Sequence, residues 1–205
     1  LETLLTDPET SHMARYALGT FEDPAAAAAL RRALGRTEGQ TRIGLINTLG
    51  DMGDAQAVRE LHTLLSGDSA TASAAATALG RIGTAEGAAA LRKARSDASR
   101  EVLDHIHNGL LTCAERLLDA GEEEQASGIY QSLYAADQPD YLRTAGLRGL
   151  IQANPDRSVE LLTEAIRGQD PQLQRSAIGF IRLVKGADAT RAFESLLPTL
   201  PVEGQ

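Results

Sequence analysis

The chain has 205 residues, a formal charge of −8, 42% hydrophobic content and 3% aromatic content, with no Trp. That acidity argues against a general nucleic-acid binder, which needs a basic surface against phosphate, and no apolar run approaches the roughly 18 residues of a membrane span. The apolar content is mainly Ala and Leu, strong helix formers, while β-branched and aromatic residues are scarce, so the chain reads as all-α.

In chain order, Leu4-Leu5-Thr6 aligns with Leu64-Leu65-Ser66, so Leu1 to Leu5 reads as the tail of a preceding helix. Hairpins follow, each a first and a second helix: 8–20 with 24–34, 40–51 with 54–65, 69–81 with 85–95, 98–119 with 122–134, 139–152 with 155–166, and 171–184 with 187–197. Three segments carry the repeat directly. Ala17-Leu18-Gly19 precedes Asp23 and Leu30; Thr48-Leu49-Gly50 precedes Gly53-Asp54 and Leu61; Ala78-Leu79-Gly80 precedes Gly83-Thr84 and Leu91. The period of about 30 residues is one helix–turn–helix unit. Pro8, Pro24, Pro155 and Pro171 follow Asp7, Asp23, Asn154 and Asp170, and an Asp or Asn cap before Pro marks a helix start. Ile43, Ile46 and Leu49, then Val58, Leu61 and Leu65, then Val159, Leu162 and Ile166 trace the stripe of a helix with one buried face. The stretch 99–134 is longer than the other units and no Pro marks it; it looks closer to a tetratricopeptide hairpin than to the others, and a local change of curvature is expected there. At the far end Leu196-Leu197-Pro198 closes a helix and Leu200-Pro201 starts something unfinished. Polar capping repeats are expected at the ends of a solenoid; neither end has one, so the chain reads as a piece excised from a longer array.

The Ala-Leu-Gly, Gly-Asp and Asp-Pro pattern resembles HEAT repeats over nearly the whole chain. The segments from Leu4 to Leu18 and from Cys113 to Leu118 look like one repeat type of large multidomain bacterial proteins. There the array sits beside other modules, often sugar-active or haem-bearing, and many such proteins are exported. The resemblance thus implies a right-handed α-solenoid of about six hairpins and about twelve helices without strands, spanning 1–205. It leans towards an exported or periplasmic location, with the cytoplasm as the alternative. It supplies no catalytic residue.

The chemistry of enzymes with this architecture is not legible here. Deoxyhypusine hydroxylases resemble it but bind iron through His-Glu pairs; His12, His62, His105 and His107 are followed by Met13, Thr63, Ile106 and Asn108. His105 and His107 fall on different faces of a helix. Helical-repeat DNA glycosylases need a basic groove and aromatic side chains against the base. Glu122-Glu123-Glu124 lacks the spacing of a calcium loop and suits a solvated helix start. Gly80, Gly83 and Gly87 lack the Gly-Lys-Ser/Thr of a phosphate loop and read as turn and packing residues. Cys113 stands alone, so no internal disulfide forms, and a packing role is expected. The basic residues are Arg except Lys93 and Lys185, which reads mostly as genome composition.

The expectation is therefore a non-catalytic interaction, scaffold or spacer module, with no cofactor, metal or catalytic residue and with a protein or a neighbouring domain as partner. The alternatives are an accessory domain shaping a neighbouring enzyme's site, or an independent enzyme such as a lyase or DNA glycosylase. In HEAT-type arrays second helices line the concave side. Aligning Leu30, Leu61 and Leu91 puts Arg31-Arg32, His62-Thr63 and Arg92-Lys93 on successive rungs; aligning Leu162 and Phe193 adds Thr163-Glu164 and Glu194-Ser195. Arg31, Arg32, His62, Arg92 and Lys93 are the candidate partner-binding residues, facing an acidic partner, with solvated helix residues as the plain alternative.

Overall fold

The computed structural model describes residues 2–21 and 23–194. The chain forms two compact units, Leu1–Ala120 and Gly121–Gln205, and the division falls inside the atypical stretch 99–134. Among the described residues every regular element is helical.

The first unit contains α1 (Glu2–Thr6), α2 (Ser11–Gly19), α3 (Pro24–Leu34), α4 (Gly39–Asp51), α5 (Val58–Leu64), α6 (Ser69–Ile82), α7 (Ala85–Ala94) and α8 (Arg100–Asp119). A 3₁₀ turn at Ala55–Ala57 leads into α5. The first helices stack in sequence, α2 on α4, α4 on α6 and α6 on α8. The second helices lie beside them, α3 on α2 and α4, α5 on α6, and α7 on α6 and α8. The second unit contains α9 (Glu123–Tyr134), α10 (Asp140–Ala153), α11 (Ser158–Arg167), α12 (Pro171–Phe180) and α13 (Ala187–Glu194). Here α10 packs on α9, α11 and α12, and α11 packs on α12 and α13.

Caps set the phase of these hairpins. The Asp23 carboxylate accepts from Ala25 N–H at 2.8 Å, that of Asp68 from Thr71 N–H at 3.0 Å, and the Thr84 hydroxyl from Gly87 N–H at 3.1 Å. Asp170 accepts from both Gln172 and Leu173 N–H. These bonds satisfy donors that no helical carbonyl can reach. Two expected starts differ. Pro8 sits in a turn closed by Ser11 N–H donating to Asp7 C=O, so α2 begins at Ser11. Asn154 caps nothing, because its amide donates instead to Leu150 C=O and to the Ser127 hydroxyl.

Leu30, Leu45, Leu49, Leu61, Leu79, Leu91, Ile106 and Leu110 fill the core of the first unit, and Ile129, Leu133, Leu147, Leu150, Leu162 and Phe193 that of the second. Leu18 is buried as expected. Ile178 and Ile181 are only partly buried, because Leu173 and Ala177 occupy the inward positions of α12. The expected continuation of the last helix through 197, with Leu196 and Leu197, and the segment from Leu200 lie outside the described residues.

Small residues decide how closely the first helices approach. A methyl group on Gly50 would lie 2.8 Å from Ala78 Cα, and one on Gly80 would lie 2.7 Å from Gly109 Cα. One on Gly109 would meet the Ala76 carbonyl oxygen at 2.6 Å. Gly83 has a different reason: at φ 72° it ends α6 in the left-handed conformation that costs glycine nothing.

Leu61→Ala should cost about 2–5 kcal/mol, and Gly80→Ala or Gly109→Ala about 1–3 kcal/mol through overpacking. Gly128→Ala, whose added methyl meets nothing within 4 Å, should be neutral or stabilising by up to about 1 kcal/mol. Urea denaturation followed by circular dichroism checks the series. A loss below about 1 kcal/mol at Leu61 would show that the register is wrong.

Candidate functional site

Leu30, Leu61 and Leu91 are each fully buried, so the residues beside them share the second-helix face of the first unit. Arg32, Thr63, Arg92 and Lys93 are exposed there, and His62 is half-buried. A groove of about 290 Å³ runs between α5 and α7. Val58, Ala89 and Ala90 form its floor; Arg59 and His62 rise from α5, Glu86 and Lys93 from α7. Helical spacing explains the set, since Arg59 lies three residues before His62 and Glu86 seven before Lys93, on common faces. The sequence reading found His62 and Lys93 but missed Arg59 and Glu86, which that spacing could have supplied.

Arg31 behaves differently from its neighbours. Its guanidinium pairs with the Asp54 carboxylate and donates to Gln56 Oε1 at 2.8 Å. Asp54 opens the next repeat's 3₁₀ turn, so Arg31 ties one second helix to the next. Other arginines do the same. Arg15 donates to Gly44 C=O at 3.1 Å, Arg81 pairs with Asp51 at 2.7 Å, and in the second unit Arg143 pairs with Asp170. The abundance of arginine, read from the sequence as genome composition, thus has a structural use: a planar fork that bonds across repeats. Glu60 lies near Arg31 and Arg42; burial raises its carboxyl above the usual range, against the pull of those two cations.

In the second unit Glu164 and Glu194 are exposed and Thr163 is half-buried; Ser195 lies outside the described residues. Burial, then the charge of Glu164, pushes the Tyr134 phenol up. A second and wider groove in the first unit, about 620 Å³, lies between the α2–α3 and α4–α5 turns. Phe21, Pro24, Ala27 and Met52 give it apolar walls, and Phe21 is 58% exposed.

His105 is exposed with Nδ1 at 3.3 Å from the Thr77 hydroxyl, whereas His107 is buried, and burial lowers its pKa. No group of three or more His, Cys, Asp or Glu among the described residues is placed to hold a metal. Glu122, Glu123 and Glu124 are exposed at the start of α9, where negative charge suits the helix dipole. Cys113 is buried on α8 and its thiol donates to Thr84 C=O at 3.2 Å. No described helix is long and apolar enough to cross a membrane.

Comparison with known proteins places this architecture. Residues 35–107 match the HEAT-repeat family model. That segment of the chain is built of HEAT repeats. Residues 12–36 match a more specific model, the PBS lyase HEAT-like repeat. Among solved structures, the complex of CpcE and CpcF of phycocyanin lyase from Nostoc sp. PCC7120 is similar at 22% identity and TM-score 0.47, covering 91% of this chain and 75% of that one. An engineered protein is similar at 21% identity and TM-score 0.45, covering 86% and 92%. No curated protein matches the chain in sequence.

The match at residues 12–36 corrects one expectation, that the chain is not an enzyme: this repeat type is named for a lyase. The absence of a local catalytic motif could not settle that point. A repeat stack assembles a surface from residues about 30 positions apart, which no short motif records.

Burial pushes the Cys113 thiol up to about 11. At pH 8 only roughly one molecule in a thousand then carries the thiolate. Iodoacetamide should label Cys113 very slowly in native protein at pH 8, faster as pH nears 11, and rapidly in urea. Fast labelling of native protein at pH 8, counted by mass spectrometry, would contradict this placement.

Proposed function

We propose that this HEAT-repeat chain is a scaffold that holds a protein partner on the second-helix face of its first unit. The observation that carries the reading is the α5–α7 groove, where His62 and Lys93 from successive repeats rise from an alanine floor. Arg32 and Arg92 extend the same face. Surfaces of this kind, built one rung per repeat, are how stacked helical repeats hold extended partners. A photo-crosslinking residue at Thr63, exposed on α5, should form protein adducts in the producing cell, while one at Glu115, exposed on α8, should form few. Equal yields at both positions would count against this face.

A second reading, that the module serves a lyase, is favoured by the match of residues 12–36 to the PBS lyase HEAT-like repeat. On this reading the held partner is the protein substrate, and the repeat stack presents it. Phycocyanin is the first substrate to try. A change in its visible absorbance that requires the chain would support the reading, and an unchanged spectrum would count against it.

A further inference from the structure

Two sets of cations stand out in the first unit. Arg15, Arg31 and Arg81 are engaged inside the stack, bonded to Gly44, Asp54 and Asp51. The side chains of Arg59, His62, Arg92 and Lys93 make no hydrogen bond or ion pair among the described residues. In a chain with a net charge of −8, basic side chains left without acidic partners on one face are a local reversal of the overall field.

The groove they border has a distinct shape. At about 290 Å³ it holds one or two side chains, at the lower limit of small-molecule sites. Its floor is closed by Val58 and Ala90, both buried, and Ala89 stands exposed beside them. Alanine at such a position lets another helix approach closely. Glu86 is the single acidic group on the rim, against Arg59, Lys93 and His62. A basic segment would meet like charge here. A nucleic acid would need a basic stripe that the acidic chain as a whole opposes.

We propose that the α5–α7 groove docks an acidic helical segment of a protein, with a carboxylate entering between His62 and Lys93. This rests on the reading that the second-helix face is the binding surface, and it names the chemistry of the partner. Arg92, one residue from Lys93, adds attraction at the edge. Placement of Arg92 and Lys93 in the last turn of α7 also suits the helix dipole. Stability and binding must therefore be measured apart.

The probes are three alanine-rich helical peptides of equal length, carrying Glu, Gln or Lys at every fourth position, and a single-stranded oligonucleotide. Binding to the full chain is read by fluorescence anisotropy at low and physiological salt. The Glu peptide should bind, more weakly as salt rises, and the other probes should not. Arg59→Glu with Lys93→Glu should weaken the Glu peptide by about tenfold or more, while Arg81→Gln, in a pair on the first helices, should leave binding unchanged. Circular dichroism and thermal melting confirm that each variant is folded. Ala89→Trp fills the groove without altering charge and should also abolish binding. If the Gln or Lys peptide binds as well as the Glu peptide and Ala89→Trp blocks it, the acidic specificity is overturned while the face remains a binding surface. If no peptide binds, or binding ignores Ala89→Trp, both the specificity and the face are overturned. Preferential binding of the oligonucleotide overturns the choice of a protein partner.

Discussion

The closeness of the first helices to one another is the constraint on which the first unit depends. Helices pack at 8–10 Å between axes, and the side chains at the crossing set the distance. At the crossings of α4 with α6 and α6 with α8, Gly50 meets Ala78, Gly80 meets Gly109, and Gly109 meets Ala76. No larger residue fits there without displacing backbone. The demand for small residues at crossings and Leu at inward positions accounts for the Ala- and Leu-rich composition better than helix propensity alone. In the second unit Gly146 and Gly149 play the same part against Tyr130 and the end of α9.

Close stacking has an electrostatic consequence. It brings an arginine on one repeat within reach of the cap or carbonyl of the next, about 30 residues away in sequence. Arg15 over Gly44, Arg31 at Asp54 and Arg143 at Asp170 are three instances, each within one unit. These bonds are directional, as apolar packing is not, and so help fix how one repeat sits on the next. The Asp170 carboxylate is held below its usual range first by the Leu173 N–H it caps, and further by the Gln172 N–H and Arg143. That depressed pKa makes its contribution to stability present above the unfolded carboxyl range and lost as pH falls through the folded value. Arg59, His62 and Lys93, which border the α5–α7 groove, serve no such bond.

The sequence shows the period, and the period locates the hairpins, because each repeat must present its apolar face to the next. It also shows the register of Leu30, Leu61 and Leu91, hence the face on which Arg32, His62, Arg92 and Lys93 lie. It does not show that Arg31, adjacent to Arg32, is held by Asp54 twenty-three residues on. That depends on the rotation between repeats, which no pattern within a helix encodes. Asn154 misled because an amide can donate as well as accept, and here it donates. Ile178 and Ile181 misled because Leu173 and Ala177, four apart, offered an equally helical inward stripe. Catalysis was excluded on missing local motifs, a criterion blind to sites assembled across repeats.

Native-state hydrogen exchange followed by NMR tests the close-packed stack most directly, since exchange reports the stability of each helix within the folded protein. In the first unit the slowest amides should lie in α6 and the first half of α8, around Ala76, Gly80, Leu110 and Cys113, with α1 and α2 exchanging much faster. Exchange in α6 as fast as in α2 would contradict the claim that the glycine–alanine crossings hold the unit together.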